Sequence, residues 1–254
     1  MRRKHITPHR SLRHLVFRRE ALLQGAAVAI WIDAALVWQG SQVLGGHSRV
    51  VEALLRLAGV AWERGKELTL LPGVSVGLLR TSYLDYQAHP LYPWYCFGAA
   101  TALVALAARY CPAPLRVLLW LGPFGLGITL FYLTAVSPTV PYNPEDFATI
   151  WYRGETYLWL ILPWIFAMSF YALNVPWRLK ATWLALLMLY SFLWSAIRLA
   201  TALATFHYLG SLWMPLFYFV FGFLADFLYI VAFYSLAVDR AAGFLGKQQQ
   251  EAWR

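Results

Sequence analysis

Charge is the scarcest resource in this chain. Asp, Glu, Lys and Arg make up 13% of its 254 residues, about half the share found in an ordinary soluble domain, which excludes the solvated surface of a typical globular protein. Cysteine is rarer still, with Cys96 and Cys111 the only two. They flank one apolar stretch and lie about 20 Å apart on a helical rise, too far for a disulfide with each other. No CxxC, HExxH or paired-histidine spacing occurs, nor a haem or iron–sulfur signature, so no metal is expected. The glycine-rich phosphate loops of nucleotide and dinucleotide sites are missing as well, and no cofactor is expected.

What the chain has in quantity is apolar surface, 60% of its residues. Pro90 with Pro93, Pro112 with Pro114, the cluster from Pro138 to Pro144, Pro176, and Gly210 cut this surface into segments. The segments lie near 20–44, 91–109, 115–136, 156–174, 181–207 and 211–238, each close to the ~20 residues that a spanning helix needs. The expectation is an all-α membrane protein of about six transmembrane helices. Span one lacks the flanks of a cleaved signal peptide and is read as retained.

Basic residues are distributed unequally between the two sets of loops. Fourteen fall on the side of 1–19, the second and fourth turns and the tail 239–254; six, from Arg49 to Arg153, fall on the other, beside seven carboxylates. The positive-inside rule then makes both termini cytoplasmic. The net charge of +9 reads as a topology signal with anionic lipid as the partner, not nucleic acid, because no aromatic-interleaved binding surface accompanies it.

Two outer segments remain. Residues 45–90 open with an amphipathic stretch in which Val50, Val51, Leu54, Leu55, Leu57 and Ala58 alternate with Arg49, Glu52 and Arg56, suited to lie on the outer leaflet. A β-hairpin-like segment with its turn at Pro72-Gly73 follows. The second segment, 137–155, is rich in proline and acid and is expected to be a loop. Trp94, Tyr95, Trp151, Tyr152, Tyr157, Trp159, Tyr208 and Trp213 cluster at span ends, as an interfacial aromatic belt requires.

Polar residues inside these spans are the candidates for function. Arg198 stands within the apolar run from Trp183 to Phe206, and a charge there costs roughly 3 kcal/mol or more, which marks a functional or pairing site. Asp226 in span six and Asp33 in span one are its candidate partners, either as a structural ion pair or as a polar path. Cys96, in Tyr95-Cys-Phe-Gly, His89 in the preceding loop and His207 at the end of span five fall toward the outer side. A thiol, an imidazole and a guanidinium at one depth would supply nucleophile, base and oxyanion donor. The plain alternatives are a small packing cysteine and a snorkelling histidine.

The stretch from Val51 through Trp62-Glu-Arg-Gly-Lys-Glu to Leu71-Pro-Gly-Val-Ser-Val, with Cys96-Phe97-Gly98, Arg198 and His207, resembles exosortases and archaeosortases over about half the chain. The resemblance implies a polytopic thiol transpeptidase that processes C-terminal sorting tails of secreted proteins at the outer face. It further implies Cys96 as nucleophile, His207 or His89 as base, and Arg198 as orienter. At the position collinear with the family's cysteine this chain carries Thr81 and Ser82, and Cys96 comes about a dozen residues later. Two other readings stand beside it: a non-catalytic subunit of an envelope complex with other membrane proteins, and a transporter or channel lined by Asp33, Arg198 and Asp226.

Overall fold

The computed structural model describes residues 19–83, 91–136, 143–171 and 175–251. The protein is mostly helical, with one two-stranded antiparallel sheet. The helices are α1 (Arg19–Trp38), α2 (Gly40–Leu57), α3 (Tyr92–Ala108), α4 (Ala113–Ala135), α5 (Pro144–Phe170), α6 (Trp177–Leu209) and α7 (Ala225–Glu251), and the strands are β1 (Trp62–Leu71) and β2 (Val74–Thr81). Between α6 and α7 the chain passes through a 3-10 turn (Ser211–Trp213), one short α turn and a π-helical stretch (Phe217–Leu224).

Among the described residues three helices are long and apolar enough to cross a membrane: α4, α6 and the run Ser211–Ala241. A fourth is added if α1 and α2, interrupted at Gln39, count as one broken span. Six were expected. The 17-residue α3 rises about 25 Å, short of the ~30 Å hydrocarbon core. Glu145, Asp146, Arg153 and Glu155 all lie in α5, which is not among those three helices.

Several expected boundaries move. The first helix ends at Trp38 and not near 44, and α2 begins at Gly40, with Ser41 tied to the hairpin turn through Gly73 O at 3.2 Å and Ser75 N at 3.3 Å. Residues 144–155, expected as loop, form the first turns of α5. Asn143 Oδ1 accepts from Asp146 N at 2.8 Å, and Asp146 Oδ2 accepts from Asn143 N at 3.3 Å. This is a reciprocal N-terminal cap with Pro144 at the first helical position. The expected tail after 238 continues as helix to Glu251.

The described chain divides into two compact units. One takes residues from 1–40, 156–192 and 228–254. Within it α1 approaches α5 closely at Gly25, where a Cβ would sit 3.2 Å from Ala167 and Tyr171. Several of its buried polar groups are paired: Trp159 Nε1 donates to Ser191 Oγ at 3.1 Å, which also shares a 2.8 Å hydrogen bond with the Tyr229 hydroxyl, and Lys180 Nζ caps the end of α5 at Tyr171 O.

The other unit takes 41–155 and 193–227 and holds the hairpin. Its register pairs Trp62 with Thr81 and Leu71 with Val74 around Gly73, whose φ of +78° suits glycine. β2 and α2 bury Val74, Val76, Leu78 and Leu79 with Val51 and Leu55, so one face of the amphipathic stretch contributes to a protein core. Three of the expected belt residues, Trp151, Tyr152 and Trp159, are interior; Trp94, Tyr95, Tyr157 and Tyr208 are exposed.

Candidate functional site

The end of α6 is built by four polar contacts, all within the hairpin unit. Gly210, with φ +78°, stops the helix, so its last turn stays free to be pinned from outside. The Tyr208 hydroxyl donates to Ala58 O at 2.8 Å, just past α2. From the first turn of α3, the Tyr92 hydroxyl donates to Leu209 O at 3.0 Å. His207 Nδ1 lies 3.1 Å from Ser82 Oγ and 3.0 Å from Ser82 O, at the exit of β2. Its ring meets the Tyr208 ring edge to face at 4.7 Å.

This geometry allows His207 two tautomers with different chemistry. With the proton on Nδ1, the ring donates to the Ser82 carbonyl and leaves Nε2 as a bare base. With the proton on Nε2, Nδ1 accepts from the Ser82 hydroxyl, the arrangement that takes the proton from a serine nucleophile. Ser82 is exposed and His207 half-buried, so either form is open to an incoming group.

Cys96 follows Tyr92 by one turn on α3 and is half-buried. Its thiol interacts with the Tyr92 hydroxyl, so Tyr92 links the turn that carries Cys96 to the backbone two residues beyond His207. The hydrogen bonds His207 makes among the described residues go to Ser82. His89, the other candidate base, lies outside the described residues.

Arg198 sits nine residues before His207, about 13 Å deeper on the helical rise. It is 3% exposed. Nη2 donates to Glu155 Oε1 at 2.6 Å and to Asp226 Oδ1 at 2.5 Å. Nη1 donates to Phe221 O and, at 2.9 Å, to Gly222 O. Those carbonyls belong to the π-helical stretch, where the wider ladder lets a side chain insert between backbone bonds. The guanidinium also stacks over Trp151, 4.9 Å from the ring centre, and Trp151 Nε1 donates to Ser195 Oγ on α6 at 3.3 Å.

Of the expected ion pairs, Arg198 with Asp226 is present. Asp33 is engaged elsewhere, accepting from Trp164 Nε1 at 2.7 Å in the other unit. Glu155 was missed as a partner, because 137–155 read as loop. The signal for it was the helical spacing of Phe147, Trp151, Glu155 and Trp159, which fall on one buried face. Ser82 was noted only, with Thr81, as collinear with the family's cysteine, and Tyr92 was not singled out. Among the described residues no three His, Cys, Asp or Glu side chains group as a metal site. The chain matches no protein-family model, no curated protein and no solved structure.

Proposed function

We propose that this chain is an exosortase-like multi-pass protein of a bacterial or archaeal cytoplasmic membrane, with six spans and both termini cytoplasmic. It processes C-terminal sorting tails of secreted proteins at the outer face. The observation that carries this reading is the 3.1 Å approach of Ser82 Oγ to His207 Nδ1, because Thr81 and Ser82 stand at the position collinear with the resembling family's cysteine. In this reading Ser82 is the nucleophile. Its hydroxyl oxygen attacks the scissile carbonyl while the proton passes to His207; the imidazolium then protonates the departing amine, leaving an ester on Ser82 that water or an acceptor amine resolves. Tyr92 ties the turn that carries Cys96 to the end of α6, and Arg198 holds the helices in place without touching the reacting atoms.

The test uses the full chain expressed with a secreted reporter that ends in a short motif, an apolar helix and a basic cluster. Ser82→Ala and His207→Ala are expected to abolish processing at unchanged protein level, Cys96→Ala to leave it intact, and Ser82→Cys to restore it in a form that thiol alkylation blocks. Loss with Cys96→Ala but not with Ser82→Ala would return the nucleophile to the thiol.

A second reading is a non-catalytic subunit of an envelope complex. It is favoured by the engagement of both terminal nitrogens of Arg198 with four acceptors, which leaves neither for an oxyanion. Processing unaffected by all three alanine variants would select it.

A further inference from the structure

The buried cluster around Arg198 does not balance its own charge. Two carboxylates, Glu155 from α5 and Asp226 from α7, share one guanidinium from α6, and both reach the same nitrogen. The bonded oxygens are therefore at most about 5 Å apart, where like charges in a low-dielectric interior repel strongly. Their side chains are 6% and 16% exposed and that of Arg198 is 3%, so water does little to screen them. The carbonyls of Phe221 and Gly222 turn further negative dipole ends onto the same cation. With every group ionised the cluster carries one uncompensated negative charge, and in a protein interior such a charge costs several kcal/mol.

A second observation points to what restores the balance. Glu155 Oε2 is fully enclosed and, among the described residues, has no hydrogen-bond partner; Arg198 Nε is in the same state. The neutral hydroxyl of Ser195 also interacts with the Glu155 carboxyl while accepting from Trp151, and one neutral donor does not offset a whole buried charge. A buried carboxylate oxygen with no donor is costly, whereas a carboxylic acid needs only one lone pair satisfied and offers an O–H to its neighbour.

We infer that the Glu155–Arg198–Asp226 cluster is a binding site for a single proton, held between the two carboxyl groups. With the proton bound the cluster is neutral, and α5, α6 and the segment 217–226 are pinned to one another. Once the proton leaves, the extra charge weakens that pin. The inference rests on charge count, burial and unmet hydrogen bonds, and stands whether or not Ser82 and His207 are catalytic.

Infrared spectroscopy of the full chain in lipid nanodiscs tests it, because a protonated carboxyl C=O stretch is separate from carboxylate and amide bands. Measurement in an Asp33→Asn background, with Asp239→Asn added, removes the carboxyl groups outside the cluster that are described in the apolar run Leu22–Trp38 and in the run Ser211–Ala241. At neutral pH the band is expected to be present, to shift on deuteration, to disappear in Glu155→Gln or Asp226→Asn, and to fade as pH is raised. If the neutral variants fail to fold, the band of the background protein, with Asp33→Asn and Asp239→Asn alone, decides by itself. Its absence at neutral pH, or its persistence in both folded neutral variants, overturns the proposal.

Discussion

Arg198 and His207 belong to one helix, yet the chain treats them in opposite ways. Arg198 is sealed, and two carboxylates, two carbonyls and an aromatic face engage its terminal nitrogens and its plane. His207 is half-buried, and its hydrogen bonds among the described residues go to one residue, Ser82, through one ring nitrogen. A charge within an apolar helix is by default a functional candidate. Here the residue that stands out most in the sequence is the most fully engaged in the structure. The commonplace histidine nine residues later keeps a ring nitrogen outside these hydrogen bonds and an open side. Cost of burial measures what the fold must hold; exposure at a rim measures what is left for chemistry.

The largest expected effect breaks the sealed half of this comparison. Arg198→Met keeps the length and packing of the side chain but leaves Glu155 and Asp226 without their cation, and removing one partner of a buried ion pair costs about 3–5 kcal/mol. Reversible unfolding in lipid bicelles should register this loss. Neutralising the carboxylates as well, with Glu155→Gln and Asp226→Asn, should recover most of it. A single variant within about 1 kcal/mol of wild type would show that the cluster does not hold the helices together.

A smaller effect is expected where the two halves meet. Gly210 ends α6 at φ +78° and ψ 174°, a conformation nearly closed to side-chain-bearing residues, and forcing one into it costs of order 1–3 kcal/mol. Gly210→Ala should therefore lower stability by that amount and shift the last turn of α6, moving His207 off Ser82. The check is a pair of measurements: the unfolding free energy, and the His207 imidazole resonances with and without Ser82→Ala. If the resonances respond to Ser82→Ala as strongly in the Gly210→Ala protein as in wild type, Gly210 does not position the site.

How much of this was legible in the sequence follows the same division. Apolar run lengths were enough to find membrane-type helices, and Pro72-Gly73 was enough to place the hairpin turn, because both signals are local. The Arg198–Asp226 pair was legible because each residue is conspicuous in hydrocarbon. Glu155 was not, since it follows a proline-rich acidic stretch whose composition reads as loop. Only the Asn143-Pro144-Glu145-Asp146 capping pattern and the spacing of Trp151 and Trp159 reveal the helix it sits on. Trp151 and Trp159 were read as belt residues for a related reason: a sequence shows the depth of an aromatic side chain but not which way it faces, and these two face Ser195 and Ser191. The Ser82–His207 contact joins residues 125 positions apart, and no periodicity predicts such a pairing; the family resemblance alone drew attention to the position of Ser82.

The smallest expected stability change is also the sharpest test of the comparison. Ser82 is exposed, it follows the last residue of β2, and among the described residues its hydroxyl hydrogen-bonds with His207 Nδ1. Replacing it with alanine removes no buried surface and leaves no enclosed polar atom behind, because the ring can still donate to the Ser82 backbone carbonyl, which alanine retains. Exposed substitutions of this kind usually lie within about 0.5 kcal/mol of wild type. Ser82→Ala should therefore unfold with wild-type energetics in the same bicelle assay in which Arg198→Met loses several kcal/mol, while processing of a tailed reporter falls to background. A large loss of stability from Ser82→Ala would mean that the hydroxyl anchors the hairpin to α6 as Glu155 anchors α5, and the rim site would then belong to the same class of structural contact as the sealed one. Stability unchanged and processing lost would separate the two ends of α6 into a lock and a site.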